Sequence, residues 1–121
     1  MENNTFKVIV AGGRDFFDYD LMKRKLDVIL SKKNNVVIVS GTAAGADRLG
    51  ERYAREHNLV ISYFPALWHI YGSKAGFYRN EEMAEYAEAC ICFWDGKSTG
   101  TKHMIDTAEE RDLLTRVIRY K

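Results

Sequence analysis

Cysteine and proline are scarce in this sequence, and long apolar runs are missing. Of the 121 residues, two are cysteine and one is proline, and Cys90 and Cys92 lie within one apolar run. That placement does not suit the spaced disulfide framework of small extracellular domains. No segment reaches the roughly 20 apolar residues of a membrane span, and residues 1–6 lack the blocks of a secretory signal. We therefore expect a cytoplasmic protein with no membrane role.

An excess of either charge is also missing. The chain has 18 Lys and Arg residues against 17 Asp and Glu residues, which gives a net charge of +1. Because nucleic-acid-binding domains usually carry a basic surplus, this balance disfavours nucleic acid as a partner. His57, His69 and His103 lack the companion spacing of metal ligands, so no metal site is predicted.

Two common nucleotide-binding signatures are absent. No Gly-Lys-Ser or Gly-Lys-Thr closes the GxxxxGK pattern of a P-loop, and no segment reads GxGxxG. ATP hydrolysis and ordinary NAD-dependent hydride transfer are therefore disfavoured.

What the sequence does contain is an alternation of short apolar runs, rich in β-branched residues, with segments of helical period. The runs that we assign as strands are 6–11, 36–40, 59–64, 89–94 and 115–120. The alternation predicts one α/β domain over residues 1–121, with helices on both faces of a mostly parallel sheet of about five strands, three layers in all. The last run is expected at an edge of the sheet, because its Arg116 and Arg119 need water.

Small and polar residues follow each of the first four predicted strands. In a parallel sheet these loops meet outside the carboxyl ends of the strands, which is where open α/β sheets bind ligands. Glycine lets backbone N–H groups approach phosphate oxygens, although it also makes tight turns where no ligand binds. The loop residues predicted to surround a ligand are Gly12, Gly13, Arg14, Asp15, Ser40, Gly41, Thr42, Gly45, Ala46, Asp47, Gly96, Ser98, Thr99, Gly100 and Thr101.

A few larger side chains near these loops are candidates for specific roles. Arg14 and Arg79 are the predicted phosphate ligands, because a guanidinium forks onto phosphate oxygens. Trp68 and Trp94 are the predicted stacking partners of a base, although aromatic residues are more often core. Asp15 and Asp47 are expected either to accept ribose hydroxyls or to cap the helices that follow, and capping is the expected single role of Asp47, which stands at a helix start. Segment 65–76 is the predicted mobile flap.

Several ordered motifs resemble a known family. The strings VAGGRDF and VSGTAAGAD, followed by AGFYRN, FWDG and STGT, resemble the YspA and YpsA-related branch of the SLOG superfamily, which joins the Smf/DprA and LOG proteins. The resemblance extends from Lys7 to about Ile118. It implies a Rossmann-like fold that binds nucleotides or their derivatives, and it suggests a homo-oligomer, a dimer or higher.

The resemblance to LOG enzymes also bears on catalysis. Arg79 and Asn80 match the start of the LOG run R-K-x-x-M, and this adds Asn80 to the predicted ligand-binding residues. The LOG motif P-G-G-x-G-T-x-x-E corresponds to a longer loop here, and Met104 occupies the place of the catalytic glutamate. The candidate catalytic residues are therefore Arg79 with Asp15 or Asp95.

Three functions stay open at this point. The first is binding of an ADP-ribose-like or cyclic nucleotide signal, by a sensor or a sequestering protein. The second is LOG-like hydrolysis of a nucleotide N-glycoside, and the third is binding of single-stranded DNA as in DprA. The expected partner is a nucleotide-derived small molecule, and no cofactor is firmly implied beyond a nucleotide-type ligand.

Overall fold

The part of the chain that the structure describes contains five strands separated by helices, with two helices between the third strand and the fourth. The computed structural model describes residues 5–121. The strands are β1 (Phe6–Gly12), β2 (Val36–Ser40), β3 (Val60–Tyr63), β4 (Ala89–Trp94) and β5 (Leu114–Arg119). The helices are α1 (Tyr19–Ile29), α2 (Ala46–Glu56), the short α3 (Trp68–Tyr71), α4 (Ala75–Tyr86) and α5 (Thr99–Glu110), with a 3₁₀ turn at Gly72–Lys74.

The strands form one sheet in the order β3-β2-β1-β4-β5, and every neighbouring pair is parallel. Ile9 in the central strand pairs with Val39 on one side and Cys90 on the other. The chain therefore winds one way from β1 to β3 and the other way from β4 to β5. The predicted Rossmann-like α/β fold is confirmed, and so is the edge position of the last strand.

Side-chain alternation along the strands builds a core on each face of the sheet. On one face Val8, Val10 and Phe93 pack with Met22 and Leu26 of α1. The opposite face packs against α4 and α5 through a cluster of small and flexible residues: Ile9, Val39, Met83, Ala84, Cys90, Cys92, Met104 and Ala108. Burial of each large apolar side chain contributes about 1.5–3 kcal/mol, so both layers are needed to hold the sheet.

Two thiols lie inside the second of these layers. Cys90 and Cys92 are two residues apart on β4, which places both side chains on one face. Both are free and fully buried, and their Sγ atoms are 3.5 Å apart. Hydrogen bonding to Cys90 and burial raise the pKa of Cys92.

The segment predicted as a long flap contains regular structure. Helix α3 and the 3₁₀ turn occupy most of it. The N–H groups of Ile70 and Tyr71 both donate to the carbonyl of Leu67, at 3.0 and 2.9 Å. The helical turn therefore begins two residues after Pro65. The segment is therefore helical over most of its length, and its mobility stays a prediction. None of the helices within residues 5–121 is both long enough and apolar enough to cross a membrane.

Candidate functional site

A cleft of about 510 Å³ opens at the carboxyl ends of β1 and β4. This is the point at which the strand order reverses, the usual ligand position in doubly wound sheets. The residues that line it are Ala11, Gly12, Gly13, Arg14, Asp15, Ala43, Asp47, Trp68, Ser73, Gly76, Phe77, Arg79, Asn80, Met83, Asp95, Ser98, Thr99, Gly100, Thr101 and Met104.

The cleft brings together most, but not all, of the sequence-predicted residues. Those that line it are Gly12, Gly13, Arg14, Asp15, Asp47, Trp68, Arg79, Asn80, Asp95, Ser98, Thr99, Gly100 and Thr101. Those placed outside its lining are Ser40, Gly41, Thr42, Gly45, Ala46, Trp94 and Gly96. Residues of the second group contact other parts of the protein. The candidate site therefore contains fewer residues than the sequence predicted.

The residues outside the lining hold the loops in place. The hydroxyl of Ser40 donates to Glu51 Oε2 at 2.6 Å and accepts the N–H of Thr42 at 3.0 Å, deep in the protein. The indole N–H of Trp94 donates to the carbonyl of Ser98 at 3.1 Å. The predicted stacking role of Trp94 therefore loses its geometric basis, because this hydrogen bond fixes the ring beneath the loop.

The loops after β1 and β2 are packed against each other. The N–H of Ala46 donates to the carbonyl of Gly13 at 3.1 Å. A Cβ on Gly45 would collide with the Gly13 carbonyl and with the backbone of Arg14, and the residue has a φ of +79°. Glycine is required there by the close approach of two backbones, which was the alternative explanation for glycine in these loops.

Helix α5 presents its N-terminus to the cleft. Ser98 caps the helix, since its hydroxyl accepts the N–H of Thr101 at 3.4 Å. A Cβ on Gly100 would meet nothing within 4 Å, so the backbone of the first turn is open. The first N–H groups of a helix have no partner within the helix and carry partial positive charge, which suits an anion.

Arg79 on α4 reaches across the cleft and joins three elements. Its Nη1 donates to the carbonyl of Gly41, and its Nε donates to Asn80 Oδ1 at 3.0 Å. The amide of Asn80 in turn approaches the carbonyl of Gly100, at 3.4 Å, and donates to His103 Nδ1, at 3.1 Å. Burial lowers the pKa of Arg79, and the charge of Asp47 opposes this shift.

Asp47 is the buried carboxyl of the cleft, with only 5% of its surface exposed. Its Oδ2 accepts the N–H of Ala43 at 3.1 Å, in the loop that precedes α2. The expected capping role within α2 is therefore wrong, because the bonded N–H lies before the helix. Burial raises the pKa of Asp47 to about 6, against the opposing effects of the Ala43 hydrogen bond and the charge of Arg79.

The two carboxylates predicted as catalytic partners of Arg79 are engaged elsewhere. Asp15 accepts the Tyr120 hydroxyl and the Lys121 ammonium, each at 2.7 Å, and these bonds lower its pKa. Asp95 accepts the N–H groups of Lys97 and Ser98, each at 2.8 Å, and its pKa is lowered as well. Met104, in place of the LOG glutamate, is buried in the core. The carboxyl near Arg79 is Asp47, in the first turn of α2.

Sequence reasoning missed several lining residues. Ser73 comes from the 3₁₀ turn, Gly76 and Phe77 come from the first turn of α4, and Ala43 comes from the loop after β2. Phe77 stacks on His103 with ring centroids 4.3 Å apart. Although AGFYRN contains both Phe77 and Arg79, positions two apart on a helix do not share a face, so this string gave no signal for Phe77.

Comparison with known proteins identifies the relatives of this chain. A model of the YspA, cpYpsA-related SLOG family matches residues 6–71. The Gene 61 protein of Mycobacterium phage D29 is 32% identical over 111 residues, covering 86% of this chain and 89% of that protein. The chain belongs to the YspA, cpYpsA-related SLOG family. The resemblance inferred from the motifs is thereby confirmed.

A solved structure matches this SLOG chain in fold. It is DNA processing protein A from Helicobacter pylori, whose description names a unique single-stranded DNA binding mode. The TM-score is 0.71 at 21% sequence identity, and the match covers 96% of this chain and 66% of the other. At this identity the likeness concerns the fold.

The match corrects one expectation. Nucleic acid was disfavoured as a partner because the net charge is +1. That prediction is overturned, since this fold occurs in a protein that binds single-stranded DNA. A net charge sums over the whole surface, whereas a binding groove depends on local charge and on stacking side chains.

Proposed function

We propose that the cleft binds a nucleotide or a nucleotide derivative, such as an ADP-ribose-like or cyclic nucleotide signal, as a sensor or sequestering protein. The observation that supports this most directly is the open first turn of α5 beside two arginines, at the strand-order reversal of a SLOG domain. Family membership is consistent with such a ligand, but the ligand itself is our proposal.

The phosphate of the ligand would lie over Gly100. The backbone is open there, and the Thr99 and Thr101 side chains line the same wall. Arg14 lies in the loop after β1 and also lines the cleft. It is close enough to Arg79 for its charge to lower the Arg79 pKa. Two guanidinium groups near one helix N-terminus favour an anion over a neutral ligand.

The base would pack against aromatic side chains at the outer end of the cleft. Trp68 is 51% exposed and Phe77 is 43% exposed, and both line the cleft. Large aromatic residues are costly to leave in water unless they meet a partner, and a planar base has the shape to cover them.

Thermal denaturation with a panel of nucleotides tests this proposal. We would use AMP, GMP, ATP, NAD, ADP-ribose and cyclic ADP-ribose. A ligand present at about 100 times its Kd and bound only to the folded state adds about 2.7 kcal/mol, which raises the Tm by several degrees for a domain of this size. In Arg14→Ala the shift should fall to about half, because a tenfold loss of affinity leaves about 1.4 kcal/mol of stabilisation at the same ligand concentration. If no nucleotide raises the Tm, the proposal is wrong.

Single-stranded DNA is the second candidate. The fold match to a DNA-binding protein is supported by two exposed aromatic side chains that line the cleft, Trp68 and Phe77. Stacking on such residues is sequence-tolerant and contributes about 1–3 kcal/mol per base. A short oligonucleotide that binds more tightly than AMP, with an affinity that falls steeply as salt rises, would favour this candidate.

Hydrolysis of a nucleotide N-glycoside stays a prediction with a weaker geometric basis. Arg79 lies in the cleft, but Asp15 and Asp95 are held by other partners. Chromatography of each nucleotide after incubation with the protein would show whether free base is released.

A further inference from the structure

The two oxygens of the Asp47 carboxyl differ in their hydrogen bonding. Oδ2 accepts the N–H of Ala43, whereas Oδ1 accepts no hydrogen bond from any residue between 5 and 121. Within the same residues, no completely buried side-chain oxygen or nitrogen lacks a hydrogen-bond partner. Oδ1 is therefore accessible, and Asp47 lines the cleft.

The Asp47 carboxyl lies close to the Arg79 guanidinium without forming an ion pair with it. An ideal Cβ on Gly41 would lie 2.7 Å from Arg79 Nη1 and 2.8 Å from Asp47 Oδ2, so the carboxyl and the guanidinium converge over a glycine. No ion pair within 4.0 Å joins Asp47 to a cation among the described residues. A buried acceptor without a close cation has most to gain from a hydrogen-bond donor on the ligand.

The charge of Asp47 decides which part of a nucleotide can approach it. A carboxylate repels phosphate, so the phosphate belongs at the first turn of α5 and Arg14. The base offers planar surface to Trp68 and Phe77, at the outer end. The ribose connects the two, and its hydroxyl groups are donors that a carboxylate oxygen accepts well.

We propose that Asp47 Oδ1 accepts a hydrogen bond from a ribose hydroxyl, which makes the cleft selective for ribonucleotides over their deoxy analogues. This inference rests on the proposed nucleotide binding and assigns it a specificity-determining residue. A site built to bond a hydroxyl rejects an analogue without it, because the buried acceptor is left unpaired.

Binding of AMP, 2′-deoxy-AMP, 3′-deoxy-AMP and 2′,3′-dideoxy-AMP by calorimetry at pH 7.5 tests the proposal. We expect the dideoxy analogue to bind about 10- to 100-fold more weakly than AMP, the range of a hydrogen bond to a charged group. The two monodeoxy analogues identify the hydroxyl. IMP, which lacks the exocyclic amine of adenine, should bind within a few-fold of AMP if the donor belongs to the ribose.

Asp47→Asn is the informative variant. The asparagine carbonyl can still accept the Ala43 N–H, which leaves an NH₂ donor facing the cleft where the wild-type protein has an acceptor. The preference for AMP over dideoxy-AMP should fall below about threefold. Asp106→Asn is the matched control, because Asp106 lies outside the lining of the cleft and its carboxylate pairs with Lys102 at 2.8 Å. It should keep the preference.

The outcomes separate the two proposals. If AMP and dideoxy-AMP bind equally well to the wild-type protein, nucleotide binding stands and the role of Asp47 is refuted. A preference for AMP that survives in Asp47→Asn also refutes it. If neither AMP nor any nucleotide of the thermal panel binds, both proposals fail together. Loss of IMP binding with retention of dideoxy-AMP binding would assign the donor to the base and overturn the ribose assignment.

Discussion

The glycine-rich loops of this domain differ in what their glycines contact. After β1, a Cβ on Gly13 would strike the Tyr120 hydroxyl, and after β2 a Cβ on Gly45 would strike backbone. After β4, a Cβ on Gly96 would strike Arg119, whereas one on Gly100, in the first turn of α5, would meet nothing within 4 Å. The first two loops are closed by the protein's own atoms, and the third is open only where it enters α5. Glycine content alone therefore does not locate a phosphate site.

The largest effect is expected where the closed loops meet. Gly45→Ala would combine a forbidden backbone conformation, at φ +79°, with a collision against Gly13 and Arg14. We expect a loss of more than about 3 kcal/mol in the free energy of unfolding, measured by urea denaturation. Gly72 is a control for the backbone term, because its φ of +59° is also positive but nothing lies within 4 Å. Equal losses in both variants would show that the loops are not closely packed.

The next effect concerns the buried carboxyl of Asp47, at the start of α2 directly after the second closed loop. Asp47 has a pKa of about 6 in the folded protein and an ordinary value of 3.8, so folding disfavours its ionised form. This penalty is absent below the ordinary pKa and complete above the folded pKa, so stability falls as pH rises from about 4 to about 6. The Asp47→Asn variant lacks this penalty. Its free energy of unfolding, relative to that of the wild type, should therefore increase by about 2–3 kcal/mol from pH 4 to pH 8.

Asp15→Asn provides a control of opposite sign. Lys121 and Tyr120 lower the pKa of Asp15, so its contribution is present at pH 8 and lost as pH falls through the lowered value. The variant should be less stable than wild type at pH 8 and should match it near pH 2. Unfolding curves for both variants across this range measure the two effects. A pH-independent difference for Asp47→Asn would mean that its carboxyl is not desolvated.

A smaller effect is expected for the charge of Arg14, in the loop after β1. Arg14 is exposed, and its side chain makes no hydrogen bond or ion pair with residues 5–121. Arg14→Ala should therefore leave the Tm of the free protein within about 1–2 °C, since surface substitutions usually change stability by less than about 0.5 kcal/mol. Its nucleotide affinity should fall about tenfold, the loss of about 1.4 kcal/mol. An unchanged affinity would remove Arg14 from the proposed site.

The smallest effect on stability is expected at Gly100. Gly100→Ala places a methyl group in open space within the first turn of α5, where alanine is the better helix former. The unfolding free energy should change by less than about 1 kcal/mol, in the stabilising direction. Affinity for a phosphate ligand should nevertheless fall, because the methyl group occupies the space above the turn. Full retention of affinity would move the phosphate away from α5.

The sequence predicted the fold well because the strand signals are local. The β-branched runs placed each strand within one residue of its observed start, and the parallel arrangement located the cleft from topology alone. The engagement of Asp15 was not predictable in the same way. Asp15 is held by Tyr120 and Lys121, more than 100 positions along the chain, and no local pattern reports such a contact. Asp95 differs, because it accepts N–H groups only two and three positions ahead, a local turn for which aspartate is a typical residue.

The buried thiols beneath the second helical layer supply a built-in kinetic probe. A thiol reagent can reach Cys90 and Cys92 only when α4 or α5 separates from the sheet, since neither side chain is exposed. The raised pKa of Cys92 keeps its reactive thiolate scarce, which slows labelling further. When opening is rapid compared with labelling, the labelling rate measures the open fraction of the wild-type domain. A molecule that bridges α4 and α5 should slow the labelling of both thiols, and no further cysteine needs to be introduced to measure this.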